Sequence, residues 1–338
     1  MNQFLQDIFA QPAELQRVLD DLAGPHRGQL RAAAALMKSA RRIVVTSMGS
    51  AYFSAGPVAF MLGQVHPNVH LVETEQLLRE APFFEETLYI IPSRSGESGE
   101  IARFAKLIRQ RGGRLLAITM TPASTLATNA DLVLHDISSF DGLICTKAYT
   151  TLVLTGLLAV SEMLGKLDQA LVDNLSANFQ WMERHKQQAL DHLAAMPALR
   201  DAAGVTFLSQ GAGLALAGTA ALWTEEAARV RASYNSFGNF HHGPVEQVDE
   251  RFIGCWIDLS PDARSRELYA EIVSHRPTLV TVSLPGVHAG AFEVPAAALP
   301  EAYRVIPAAL VAQLLAYQVA VGRGCNPGEM RYLNWLVK

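Results

Sequence analysis

The sequence is poor in cysteine, in basic clusters and in long apolar runs. Its three cysteines, Cys145, Cys255 and Cys325, lie far apart and form no CxxC pair, which is typical of a reduced cytoplasmic chain. The net charge of −4 and the few Lys/Arg clusters argue against a nucleic-acid surface. No basic and apolar leader opens the chain. The longest apolar runs, such as 152–160, are shorter than the ~18 residues of a membrane span. We therefore expect a soluble, cytoplasmic protein without nucleic-acid or membrane partners.

Short β-branched runs alternate with helix-like segments in the first half of the chain. The predicted strands are 42–46, 69–72, 88–91, 115–119 and 132–135. This alternation, with short links, predicts an α/β fold in which a parallel sheet is covered by helices on both faces. The strand, glycine turn and helix at 42–50 recur at 205–213, which predicts a duplicated α/β unit. Further strands of the second unit are predicted near 252–258 and 279–283.

The length of the chain, 338 residues, is that of about two domains. We predict an N-terminal helical segment over 1–40 and a first α/β domain over 41–166. A polar, helix-prone connector is expected over 167–200. The second α/β domain, with the C-terminal tail, then occupies 201–338.

The segment IIPSRSGESGE at 90–100 joins a predicted strand to a predicted helix. Free backbone N–H groups, the helix dipole and the hydroxyls of Ser93, Ser95 and Ser98 would converge there on an anion. The alternative is an ordinary N-cap formed by one of these serines. Three serines with two glycines and an arginine favour a phosphate site.

Two further segments could join that site, because ligands bind beyond the carboxyl ends of parallel strands. Gly49 and Ser50 follow the first predicted strand, and Cys145 and Thr146 precede a long helix. Simple helix capping explains Thr146 equally well.

A carboxylate is predicted on the apolar face of the helix at 215–230. Leu222, Glu226 and Val230 are spaced by four, so they lie on one face, whereas Glu225 aligns with Arg229 as a solvent-side ion pair. Burial would raise the pKa of Glu226, which suits a proton-transfer base. A structural glutamate paired with an arginine is the alternative.

The segment FHHGPVE at 240–246 places His242 on a turn before Gly-Pro. Adjacent histidines could bind a metal, but no further ligand stands at a matching spacing. We expect no metal and no cofactor. A lone loop histidine is usually a surface residue.

Together these segments resemble the double sugar-isomerase (SIS) domain proteins. The matching segments are GSAY at 49–52, SRSGES at 93–98, TKAYTT at 146–151, Glu226 and HGP at 242–244. The likeness covers nearly the whole chain, and the sequence is similar to the isomerase half of glucosamine-6-phosphate synthase. It implies two tandem SIS domains, each a flavodoxin-like parallel sheet flanked by helices, and a phosphosugar ligand. A chain that begins Met1-Asn2 lacks the cysteine nucleophile of the glutaminase half, so we do not expect it to use glutamine.

The resemblance also implies roles for single residues. The hydroxyls that hold the sugar phosphate are those of Ser50, Ser93, Ser95 and Ser98, beside Gly49. Arg94 stands where the synthase has a glutamine, Cys145 replaces a serine of the sugar site beside Thr146, and Ala51 replaces a phosphate-site hydroxyl. Glu226 matches the base that moves a proton between the first two sugar carbons. His242 matches the ring-opening histidine, which in the synthase comes from the neighbouring subunit, so a homodimer or larger homo-oligomer is expected.

Two departures from the synthase concern lysine. Trp223 stands where the synthase has a lysine on the base-bearing helix, and the tail has no lysine at the place of its Schiff-base lysine. Lys338 is an unsuitable substitute because chain ends fray.

The fructosamine-6-phosphate deglycases need no such lysine, because their substrate already carries an amine, and segments 240–246 and 331–332 are more similar to theirs. We therefore expect cleavage of a ketosamine 6-phosphate, with Glu246 either orienting the leaving amine or at the surface. The alternatives are an aldose–ketose isomerase or deaminase of an amino-sugar phosphate, and a non-catalytic phosphosugar sensor.

Overall fold

The computed structural model describes residues 2–80 and 86–333. The chain divides into two compact units that are not contiguous in sequence. The N-terminal unit contains residues 10–141, 147–176 and 331–333, and the C-terminal unit contains residues 2–9, 142–146 and 177–330. The contiguous domains drawn from the sequence, with boundaries near 41, 167 and 201, stay a prediction.

Five parallel strands form the sheet of the N-terminal unit, in the order β2-β1-β3-β4-β5. They are β1 (Arg42–Ser47), β2 (Val69–Glu73), β3 (Thr87–Ser93), β4 (Arg114–Thr119) and β5 (Leu132–His135). The helices are α1 (Gln3–Ala23), α2 (Arg27–Ser39), α3 (Gly49–Gly63), α4 (Thr74–Glu80), α5 (Gly99–Gln110), α6 (Thr125–Thr128) and α7 (Lys147–Met163), with the first residues of α1 in the C-terminal unit. All five predicted strands are confirmed to within two residues at each end, because buried parallel strands are continuous apolar runs.

The C-terminal unit has a second parallel sheet of five strands, in the order β10-β9-β8-β6-β7. Its strands are β6 (Gly204–Ser209), β7 (Arg231–Ser236), β8 (Ile253–Asp258), β9 (Thr278–Ser283) and β10 (Phe292–Glu293). Its helices are α8 (Gln169–Ala194, from residue 177 onward), α9 (Gly213–Ala228), α10 (Phe237–His241), α11 (Ala263–Ser274) and α12 (Glu301–Gly322). Counted along the chain, both sheets have the order 2-1-3-4-5, so the duplicated flavodoxin-like arrangement is confirmed.

Helix α12 is long and apolar enough to cross a membrane by length and composition, which the sequence analysis overlooked because Gln313 and Gln318 interrupt the run. In the structure 78% of its most apolar window is buried. It packs against α9 in the C-terminal unit, so α12 is a core helix.

Candidate functional site

The hydroxyl-rich segments of the N-terminal unit meet at the carboxyl edge of its sheet. β1 and β3 are neighbours, and the Ser47 hydroxyl at the end of β1 donates to the Pro92 carbonyl of β3 over 2.6 Å. Gly49 follows with φ +55° and is exposed, and Ser50 lies in the first turn of α3. The structure therefore places Gly49 and Ser50 at the same edge as the turn that follows Ser93.

The segment 93–98, here called the serine turn, folds onto itself. The Ser93 oxygen accepts the Gly96 N–H over 3.0 Å, and the Ser95 oxygen accepts the Glu97 N–H over 3.2 Å. Gly96 has φ +64°, and a Cβ atom there would lie 2.2 Å from the Ser124 oxygen. Only glycine therefore fits at the centre of the turn.

The segment 119–125 braces the serine turn from outside. The Arg94 carbonyl accepts from the hydroxyls of Thr119 (3.4 Å) and Thr121 (3.2 Å). The Glu97 carboxylate accepts the Thr125 N–H and, over 2.9 Å, the Thr125 hydroxyl. This brace was not predicted, and its only signal in the sequence is the hydroxyl-rich TMTPAST after the fourth predicted strand.

The serine hydroxyls keep their donor capacity. Ser98 occupies the N-cap position of α5, but its side chain makes no capping hydrogen bond. Ser93 and Ser95 use their oxygens as acceptors, and within residues 2–80 and 86–333 neither hydroxyl donates a hydrogen bond. Ser98 therefore does not form an ordinary side-chain N-cap. Three O–H donors stand instead beside the positive end of α5.

Arg94 has an acidic neighbour within its own unit. Its side chain is 12% exposed, and Nη1 lies 4.0 Å from Oδ2 of the buried Asp141. Asp141 also accepts the backbone N–H groups of Lys147 (2.9 Å) and Ala148 (3.0 Å), so it caps α7. This contact ties Arg94 to a structural carboxylate.

The loop 142–146 belongs to the C-terminal unit, where it contacts α9. The Cys145 carbonyl accepts the indole N–H of the buried Trp223 over 2.7 Å. The buried Thr146 offers its carbonyl to the Gln313 amide at 3.3 Å. The structure thus brings Cys145 to the helix that carries Glu226, and Thr146 to α12, which packs against that helix.

Glu226 lies three residues after Trp223 and is half-buried, so its carboxylate is less buried than its predicted place on the apolar face of the helix implies. The predicted ion pair between Glu225 and Arg229 is also wrong, because α9 ends at Ala228 and Arg229 adopts φ +57°. Arg229 donates instead to the Glu329 carbonyl over 2.7 Å.

His242 is the C-cap residue of α10, and its side chain is exposed. Its neighbour His241 is half-buried, with Nδ1 3.6 Å from a Glu271 oxygen. Glu246 is exposed in the 3₁₀ turn Pro244–Gln247. Of the two histidines, His242 is the one presented to solvent.

Residues 36–161 match the SIS domain family. The glutamine–fructose-6-phosphate aminotransferase (isomerizing) of Pyrobaculum aerophilum is 26% identical over 97% of this chain and 56% of its own length. The chain thus spans about half the length of the curated relatives it matches.

Among solved structures, the C-terminal domain of glucosamine-fructose-6-phosphate aminotransferase from Francisella tularensis superposes with a TM-score of 0.82 at 16% identity, covering 96% of this chain and 97% of that one. Glucosamine-6-phosphate deaminase from Thermotoga maritima gives 0.83 at 18% identity, covering 99% of each chain. The two parallel sheets have the fold of tandem SIS domains.

Proposed function

We propose that this chain, built as two tandem SIS domains, is a phosphosugar enzyme that cleaves a ketosamine 6-phosphate into an aldose 6-phosphate and a free amine. The names of its relatives support a sugar phosphate as the substrate class.

The braced serine turn supports phosphate binding. Ser93, Ser95 and Ser98 would donate to phosphate oxygens, with Ser50 and the open glycine turn at Gly49 on the same sheet edge. Charge-assisted hydrogen bonds of this kind are about twice as strong as neutral ones. Because the turn is already fixed by its own contacts, little ordering accompanies binding.

The positions of the lysines favour cleavage of a ketosamine over a reaction that needs an imine with the enzyme. No lysine occurs between Lys186 and Lys338. Lys186 donates to the Phe9 carbonyl over 3.0 Å, and Lys147 donates to the Ser139 hydroxyl over 2.9 Å. Lys338 lies outside the described residues. A ketose phosphate without nitrogen would need a lysine to form an imine, whereas a ketosamine brings its own nitrogen.

Glu226 would take a proton from the first carbon of the open-chain ketosamine, which gives an enaminol. Protonation at the second carbon gives the aldose imine, and water then splits the carbon–nitrogen bond to release the amine. Cys145, held beside α9 by Trp223, and Thr146, held beside α12 by Gln313, would contact the sugar.

We assign ring opening to His242. Its exposed side chain makes it available to the active site of a neighbouring copy in a homodimer, and Glu246 would orient the leaving amine. Arg94 would remain at the edge of the substrate site, with Asp141 as its partner.

The test is incubation with a panel of fructosamine 6-phosphates, with aldose 6-phosphate and free amine measured together. We expect equimolar release of both products. Glu226→Gln should lower kcat by at least about a hundredfold, since general-base catalysis contributes roughly 10²–10⁴. Unchanged turnover in that variant would show that Glu226 is not the base.

A second candidate is isomerisation or deamination of an amino-sugar phosphate. The specific observation in its favour is the half-buried Glu226, because the same proton transfer serves that reaction. Turnover of glucosamine 6-phosphate or galactosamine 6-phosphate, with no amine released from any ketosamine, would replace the deglycase proposal.

A further inference from the structure

A cavity of about 400 Å³ lies in the C-terminal unit between α8 and β10. Its walls include Trp181, His185, Gln188 and His192 from α8, with Phe292 and Glu293 from β10. None of these residues has a role in the reaction proposed above. The volume is within the range of about 300–1,000 Å³ that is usual for small-molecule sites.

Four rings line this cavity in two pairs. Trp181 and His185 are stacked, with ring centroids 4.9 Å apart and an interplanar angle of 21°. His192 and Phe292 meet edge to face, with centroids 4.9 Å apart and an angle of 73°. The faces of tryptophan and phenylalanine rings carry negative potential and attract cations.

The polar groups of the cavity are mainly acceptors. Glu293 accepts the Gly286 N–H through Oε1 over 2.8 Å, and its carboxylate charge remains. Nδ1 of His185 lies 2.8 Å from the Trp181 carbonyl. A carbonyl only accepts, so Nδ1 carries the proton and Nε2 of the neutral ring is an acceptor.

Among the described residues that line the cavity, Glu293 is the one carboxylate. The described residues that line it include no lysine or arginine. Helix α8 ends at Ala194, two residues after His192, so the negative end of its dipole is near. No group of three or more metal ligands occurs in the described parts of the chain. An anion in this cavity would face the Glu293 carboxylate with no lysine or arginine among the described lining residues.

We infer that this cavity binds a small organic amine in its protonated form. An ammonium group has three donors and no acceptor, which complements Glu293, His185 Nε2 and the Gln188 carbonyl. Its positive charge is also stabilised by the ring faces. The inference does not depend on the reaction proposed for Glu226.

The first experiment compares n-butylammonium, n-butanol and butyrate by saturation-transfer NMR titration of the full chain. The three probes share an alkyl chain and differ in charge. We expect saturable binding of the ammonium, at least about tenfold weaker binding of the alcohol, and none of the carboxylate. Equal binding of the ammonium and the alcohol would overturn the inference, and this comparison needs no variant.

The second experiment tests where the ammonium binds. Glu293→Gln keeps an acceptor for Gly286 but removes the charge, and should weaken binding about tenfold. Glu267→Gln on α11, an exposed glutamate that does not line the cavity, should leave it unchanged. Glu226→Gln should also leave it unchanged. Binding that is lost in Glu226→Gln and kept in Glu293→Gln would place the amine at Glu226 and refute this site.

Discussion

The two units have the same sheet order, yet their carboxyl edges carry opposite chemistry. At the end of the first strand, Ser47 donates to the Pro92 carbonyl in one unit and Ser209 donates to the Ile257 carbonyl in the other, over 2.6 and 2.7 Å. Each serine is followed two residues later by a glycine with φ +55°. The backbone framework of the two edges is therefore equivalent.

The side chains at these equivalent edges differ. A Cβ atom on Gly49 would meet nothing within 4 Å, whereas one on Gly211 would lie 2.0 Å from Oε1 of Glu301. That carboxylate accepts the Ala212 N–H over 3.0 Å, so the C-terminal unit supplies its own anion where the N-terminal unit leaves space.

The third strands show the same contrast. Ser93 ends β3, and the equivalent residue at the end of β8 is Asp258, which is hydrogen-bonded to His288 (2.9 Å) and Ser265 (3.0 Å). Hydroxyl groups stand at one edge and carboxylates at the other, so a single fold can carry an edge rich in hydrogen-bond donors and an edge whose turn already holds a carboxylate.

The largest expected effect comes from giving the N-terminal edge an acid. Ser98→Asp places a good N-cap at α5, so the fold should hold, but its charge repels phosphate. We expect kcat/KM for a ketosamine 6-phosphate to fall by at least about a hundredfold.

The matched control is Ser260→Asp, two residues after Asp258 at the carboxyl edge of the C-terminal unit, which should retain activity. Wild-type kinetics in Ser98→Asp would show that the serine turn does not bind the phosphate, and the proposed functional difference between the two edges would then be wrong.

The next largest effect is a loss of folding stability at the two glycine turns. Gly49→Ala must adopt a left-handed backbone, at roughly 1–2 kcal/mol. Gly211→Ala introduces the same backbone strain. It also displaces Glu301 from the Ala212 N–H, which destabilises the fold by about 1–3 kcal/mol more. Urea unfolding of both variants measures the difference. Equal loss in the two would mean that Glu301 does not occupy the C-terminal turn.

Two buried tryptophans of the C-terminal unit sharpen the comparison further. Trp223→Phe removes the N–H donated to the Cys145 carbonyl and should destabilise the chain by about 1–2 kcal/mol beyond the loss of ring volume. The indole N–H of Trp256 has no hydrogen-bond partner among the described residues, so Trp256→Phe removes the same ring volume without breaking a hydrogen bond. If both variants unfold at the same urea concentration, the hydrogen bond contributes nothing.

The smallest effect concerns Asp136, the buried acid just after β5 in the N-terminal unit. Burial raises the pKa of this carboxyl, against hydrogen bonds from Ser138 and Thr151 that lower it. The folded state therefore holds its proton to higher pH than the unfolded state, so stability falls as pH rises above about 4, where a free Asp carboxyl loses its proton.

Asp136→Asn should flatten that part of the stability–pH curve, by about 1.4 kcal/mol for each unit of pKa difference. Thermal unfolding between pH 4 and 8 measures it, with the exposed Asp173→Asn as the control. A curve that keeps its wild-type slope in Asp136→Asn would refute the assignment.

Apolar patterning predicted eight of the ten strands found in residues 2–80 and 86–333, together with the duplication and the position of the serine turn. It missed β7 and β10. β7 is a largely exposed edge strand with the polar sequence RASYNS, and β10 has two residues. Neither leaves an apolar run, because an edge strand is not buried on both faces.

Local sequence by itself determined where strands end in glycine turns and which residue types stand there, since burial and turn chemistry act over a few neighbouring residues. Only the tertiary structure decided that Glu301 fills the turn at Gly211, that Thr119 and Thr125 brace the serine turn, and that Trp223 holds the Cys145 loop. These contacts join residues far apart in the chain, up to 90 positions for Gly211 and Glu301, and no periodicity in a sequence records such a distance.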